Sequence, residues 1–118
     1  MSRAQFIEHQ GRRILRVDYA GLTPDHFVVA MRKVMPVIAA EPPHSVLLLT
    51  IPTSHLDERM ADAIRAYAPE KARHVRAEAL VGATAFHRLL FLSNKAKYHL
   101  EREVFDDEPP AKDWLASR

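Results

Sequence analysis

Ser54, His55 and Asp57 bring the three residue types of a hydrolase triad within four positions. The spacing argues against that use. Residues crowded at one helix start cannot set a base between a nucleophile and its orienting group, and the chain has no Gly-x-Ser-x-Gly elbow. What these types do at such a place is cap a helix. Ser54 is the expected cap, with Asp57 three residues on in capping-box spacing. The seven histidines are His9, His26, His44, His55, His74, His87 and His99. None forms an HxH or HxxxH pair and HExxH is absent, so no metal is expected. Gly11, Gly21 and Gly82 are the only glycines and lie far apart, which excludes a GxGxxG turn or a P-loop. Asp106, Asp107 and Glu108 read as the start of a last helix rather than a cation site. Cysteine is absent, removing thiol nucleophiles, thiolate metal sites and disulfides together. No catalytic set and no cofactor are expected, and the chain reads as not an enzyme.

The elements that position these residues follow from local patterns. Phe6 to His9 and Arg12 to Tyr19 read as an antiparallel hairpin around Gln10-Gly11, with Leu15, Val17 and Tyr19 on one face. Thr23-Pro24-Asp25 is a helix start: a cap, a proline that loses no hydrogen bond, and an acid at the positive end of the dipole. Phe27, Met31, Val34, Met35 and Ile38 continue at helical spacing. Pro36 is expected to kink that helix or tighten its last turns, and Pro42-Pro43 end the segment. Ser45 to Ile51, apolar almost throughout, suits a central strand buried on both faces. Ser54 to Tyr67 reads as a second helix with Leu56, Met60, Ile64 and Tyr67 inward. Val75 to Val81 is a strand in which Arg76 and Glu78 alternate with apolar neighbours, and Gly82 closes it. Thr84 caps a third helix, Leu100 to Phe105 is a last strand, and Asp107 caps a final helix with Ala111, Trp114 and Leu115 inward. The order is ββαβαβαβα. Strands separated by helices predict parallel pairing through right-handed crossovers, with helices spread unequally over the two faces.

The 118 residues set one domain as the prior, and 47% apolar with 27% charged residues describes a folded chain rather than a disordered one. The formal charge of +2 is too small to imply nucleic acid. Two basic clusters, Lys71/Arg73/His74/Arg76 and Lys95/Lys97/His99/Arg102, read as solvated helix ends, with no interleaved aromatics to stack bases. Met1 to Gln5 carries no secretory pattern. The apolar runs, Val46 to Leu49 and Leu89 to Leu92 among them, are all far short of the ~20 residues that span a bilayer. A cytoplasmic protein without integral membrane association is expected. Phe86, Leu89, Leu90, Phe91 and Leu92 are apolar around more than one helix face, which suggests a patch for self-association or for an apolar ligand.

Taken together, Ile14-Leu15-Arg16-Val17-Asp18-Tyr19, Val46-Leu47-Leu48-Leu49-Thr50 leading into Leu56-Asp57, Ala79-Leu80-Val81-Gly82, and Phe105-Asp106 with Ala111-Lys112-Asp113-Trp114-Leu115 resemble the small STAS/SEC14-like proteins. These share the SpoIIAA-like fold of anti-sigma factor antagonists. The resemblance spans nearly the whole chain. It implies one STAS-like domain over residues 1–118, an α/β fold with a mixed four- or five-stranded sheet and about four helices. The implied role is that of a non-enzymatic regulatory or protein-interaction module, with an unidentified protein partner or a second copy of itself. The SEC14-like side implies instead a binder of a lipid or other apolar small molecule, with Met60, Phe86, Leu90 and Phe91 as candidate walls of a pocket or interface. In the antagonists, a phosphorylated Ser or Thr follows the central strand. Thr50, Thr53, Ser54 and Asp57 are the corresponding candidate regulatory loop here. The family's Asp-Ser-Ser-Gly-type signature is missing, and Pro52 stands in the loop.

Overall fold

The computed structural model describes residues 3–53, 56–98 and 100–118, without the side chains at positions 86, 90 and 94–97. The expected element order is present: β1 (Ala4–His9), β2 (Arg12–Asp18), α1 (Pro24–Ala39), β3 (Val46–Ile51), α2 (Glu58–His74), β4 (Val75–Val81), α3 (Ala85–Tyr98), β5 (Glu101–Phe105) and α4 (Glu108–Ala116). The strands form one sheet in the order β1-β2-β3-β4-β5. The pair β1–β2 is antiparallel and the other pairs are parallel. Gln10 and Gly11 have φ of 53° and 76°, the double left-handed conformation of a two-residue type I′ hairpin turn, and His9 pairs with Arg12 across it.

This order determines where the helices go. From β2 onward each new strand is added on the same side of the last. Right-handed crossovers then put α1, α2 and α3 on one face of the sheet, because the direction of winding never reverses. Only the segment after β5 can cover the other face, and α4 does so, packing on strands β1 to β5. Two apolar clusters result. Leu15, Val17, Tyr19, Val46, Leu48 and Val75 pack with α1 and Met60 of α2. On the opposite face Ile14, Leu47, Leu49, Ala77, Ala79 and Val81 pack with Ala111 and Leu115 of α4.

A bulge in β4 departs from simple alternation. Val46 pairs with Val75 but Leu47 pairs with Ala77, so Arg76 is the extra residue. Val75 and Ala77 therefore face opposite sides although they are two apart. Arg76 is exposed, whereas Glu78 pairs with Leu48 and points to the three-helix face.

Helix boundaries correct two expectations. The cap of α2 is Asp57, whose Oδ1 accepts the Met60 N–H at 2.8 Å; Ser54 lies outside the described residues. The helix also runs past Tyr67 and through Pro69 to His74, its last turn carrying Lys71, Arg73 and His74 at the negative end of the dipole. Pro36 does not end α1, which continues to Ala39.

Candidate functional site

The three-helix face holds a cavity of about 80 Å³. Its apolar walls come from α1 (Phe27, Met31, Met35), α2 (Met60, Ile64), α3 (Phe91) and the strands (Val17, Leu48, Leu80). Its polar end is made by Tyr19, Thr50, Thr53, Lys71, Glu78, His87 and Arg102. The register supplies this end, since Leu48, Glu78 and Arg102 lie in one row across β3, β4 and β5.

Glu78 is the centre of the row, with 1% of its surface exposed. Its Oε2 accepts from Thr50 Oγ1 at 2.9 Å and from Lys71 Nζ at 2.8 Å. Its Oε1 lies 2.8 Å from Arg102 Nη2 in an ion pair without hydrogen-bond alignment. Arg102, 4% exposed, donates through Nη1 to the Phe91 carbonyl at 2.9 Å and lays its guanidinium over the Phe91 ring. Arg102 and Lys71 correct the sequence expectation of solvated basic helix ends. The Lys71 side chain is only 15% exposed because the last turn of α2 brings it down onto β4.

Burial is the largest single influence on the titration of these groups, though in Glu78 it is outweighed. It pushes the Lys71 ammonium below its ordinary pKa, with Arg102 adding to the shift and Glu78 opposing it. Burial also works to raise Glu78, but the two cations and the hydrogen bonds from Lys71 and Thr50 together hold it below the usual carboxylate range. Burial, then the nearby Glu78 charge, push the Tyr19 hydroxyl upward. His87, 7% exposed, is lowered by burial. Three buried polar atoms find no hydrogen-bond partner among the described residues: Glu78 Oε1, His87 Nδ1 and Arg102 Nε. All three belong to residues lining this one cavity.

The candidate loop residues have mixed placements. Thr50 and Thr53 are buried in the cavity wall, Thr50 bound to Glu78, and Asp57 caps α2. A phosphate on Thr53 would require the loop to open first. Met60 and Phe91 line the cavity. Phe91 is 8% exposed and so belongs to the interior rather than an outer patch; among the described side chains of α3, Leu89 and Leu92 are the exposed large apolar ones, at 70% and 43%. The Phe86 and Leu90 side chains lie outside the description. The acidic run divides its work. Asp106 pairs with Arg88 at 2.8 Å, Asp107 occupies the α4 cap position, and Glu108 grips Arg16 at 2.7 and 3.1 Å. That grip lowers Glu108 and raises Arg16, the hydrogen bond being the largest cause for both. Among the described residues no cluster of His, Asp and Glu is placed to hold a metal ion, and no helix is long and apolar enough to cross a membrane.

Of the polar end, the sequence singled out Thr50 and Thr53, as loop residues, but not the ionic group of Lys71, Glu78 and Arg102. Glu78 was its one available signal: a carboxylate inside the otherwise apolar run Ala77 to Val81.

No protein-family model and no curated protein matches the chain. A solved structure does. It is that of an uncharacterised protein of the DUF3478 family with a SpoIIAA-like fold, from Shewanella loihica PV-4. The two share 14% sequence identity at a TM-score of 0.66, over 95% of this chain and 91% of that one. The chain thus has the SpoIIAA-like α/β fold.

Proposed function

We propose that this chain is a non-enzymatic binding module that holds a small amphipathic molecule in the cavity between the three helices and the sheet. The observation that carries the reading is the cavity's division into an apolar wall and a buried ionic end in which Arg102 Nε and His87 Nδ1 have no hydrogen-bond partner among the described residues. An apolar enclosure with a few convergent polar groups is the general form of a small-molecule site. The volume of about 80 Å³ favours a small molecule over a whole lipid; an engineered cavity of ~150 Å³ accommodates benzene. Native mass spectrometry of freshly purified protein, taken from gentle to denaturing conditions, should release a small additional mass. A protein that carries none, and whose melting temperature ignores a panel of short amphipathic compounds, would refute the reading.

A regulatory role through a protein partner draws support from α3. The helix gives His87 and Phe91 to the cavity and shows Leu89 and Leu92 outward, so that occupancy and the outer apolar face share one helix. A second copy of the chain is the partner we propose for that face. Sedimentation across the micromolar range should show a dimer that Leu89→Lys dissociates, and a strictly monomeric wild type would exclude it.

A further inference from the structure

We infer that the ligand is a small monocarboxylate, its anionic end set against Arg102 and Lys71 and its short apolar tail among Met31, Met35 and Met60. The inference rests on the cavity-binding reading and deepens it. Two cations, Lys71 and Arg102, surround one buried carboxylate, Glu78. With both cations charged, the cluster carries a net single positive charge in a place where water is largely excluded; burial answers that cost by lowering Lys71, and a bound anion answers it by pairing the charge. An anion restores the balance, whereas a neutral ligand leaves it unchanged.

Hydrogen-bond accounting agrees. Glu78 is already occupied, Oε2 by Lys71 and Thr50 and Oε1 by the Arg102 ion pair, so the site does not call for a cationic ligand. The guanidinium spends Nη1 on the Phe91 carbonyl and Nη2 on Glu78, which leaves the Nε–H unspent. Arginine N–H groups fit carboxylate oxygens in geometry and charge. His87 Nδ1, the other unpartnered nitrogen besides this one, can donate in the tautomer that protonates it. The Glu78 carboxylate also lines the cavity and would repel the anion, which favours the Nε side of Arg102. Size limits the tail: a cavity of about 80 Å³ admits a short-chain acid and not a long-chain one.

Calorimetric or NMR titration of the full chain at neutral pH with butyrate, butanamide and 1-butanol separates the possibilities. Butyrate is expected to bind at least about tenfold more tightly than either neutral probe, a difference of about 1.4 kcal/mol. Lys71→Met, which leaves the Glu78–Arg102 pair balanced, should reduce butyrate to the level of butanamide while the variant still melts cooperatively. Equal binding of all three probes by the wild type would overturn the carboxylate assignment and leave the cavity reading standing. Failure of all three to bind would overturn both. The wild-type comparison decides the assignment even where a variant folds poorly.

Discussion

At the scale of single residues, Glu78 is the side chain on which the interior most depends. Removing one member of a buried ionic group leaves its partners uncompensated, at a cost of about 3–5 kcal/mol. Glu78→Gln should therefore destabilise by about that amount in urea unfolding, because Lys71 and Arg102 then face each other without a carboxylate. Lys71→Met leaves a matched pair and should cost less than half as much; equal losses would mean that the cluster does not act as a charge-balanced unit. His87 gives a pH signature. Its folded pKa lies below the ordinary value, so the unfolded chain binds the proton first as pH falls. Stability is full above the unfolded histidine pKa of about 6.5 and declines as pH drops from there through the folded value. Glu78, also depressed, adds its own loss further down, below about pH 4.3. In His87→Gln the slope between about pH 7.5 and 5 should shrink while the loss at lower pH remains. An unchanged slope would remove His87 as its source. None of this could be read from residue types. Lys71 and Arg102 sit in basic stretches that resemble solvated helix ends, and only the last turn of α2 and the pairing of β5 with β4 bring them to the same carboxylate.

At the scale of elements, caps and register show what local pattern contains and what it lacks. Asp57 and Asp107 look alike in sequence, each an acid before a helix. Asp57 accepts the Met60 N–H, whereas Asp107 makes no side-chain cap bond. Loss of a bonded cap costs about 1 kcal/mol. Asp57→Ala should thus lower stability by about that amount, and Asp107→Ala by only a few tenths of a kcal/mol, as read by thermal melts of both variants. Equal effects would mean that the dipole, and not the hydrogen bond, sets the cost. The hairpin turn, the proline-led start of α1 and the buried run of β3 were legible because each depends on neighbours a few residues away. The start of α2 was not, since Ser54 and Asp57 both satisfy the capping preference and the path of the loop decides between them. The bulge at Arg76 was hidden for a related reason. Alternation within β4 treats Arg76 and Glu78 as one face, and only pairing with β3 shows that one residue has been inserted.

At the scale of the whole molecule, strand order has a consequence for stability. A sheet that grows in one direction places every crossover helix on the same face, so the unequal covering expected from the sequence is a result of winding rather than of composition. The other face then depends on nine residues, Glu108–Ala116. Ala111 and Leu115 of that helix are wholly buried against the sheet, Trp114 packs on Phe105, and Glu108 holds Arg16. Burying a leucine side chain contributes about 1.5–3 kcal/mol, and truncating one in a packed core costs about 2–5 kcal/mol. Since a native chain is stable by only about 5–15 kcal/mol, α4 accounts for a large fraction of the total. Without it Ile14, Leu47, Leu49, Ala77, Ala79 and Val81 would form a continuous apolar surface open to water. A chain ending at Asp106 is therefore expected to lose its cooperative melt and to bind a hydrophobic dye strongly, although every strand and all three crossover helices remain in its sequence. Leu115→Ala should give the graded form of the same effect, a loss of about 2–5 kcal/mol with the fold retained. If the shortened chain instead melts cooperatively within a few degrees of the full one, the three-helix face suffices by itself. The last helix would then be a cover for the sheet rather than part of what makes it stable.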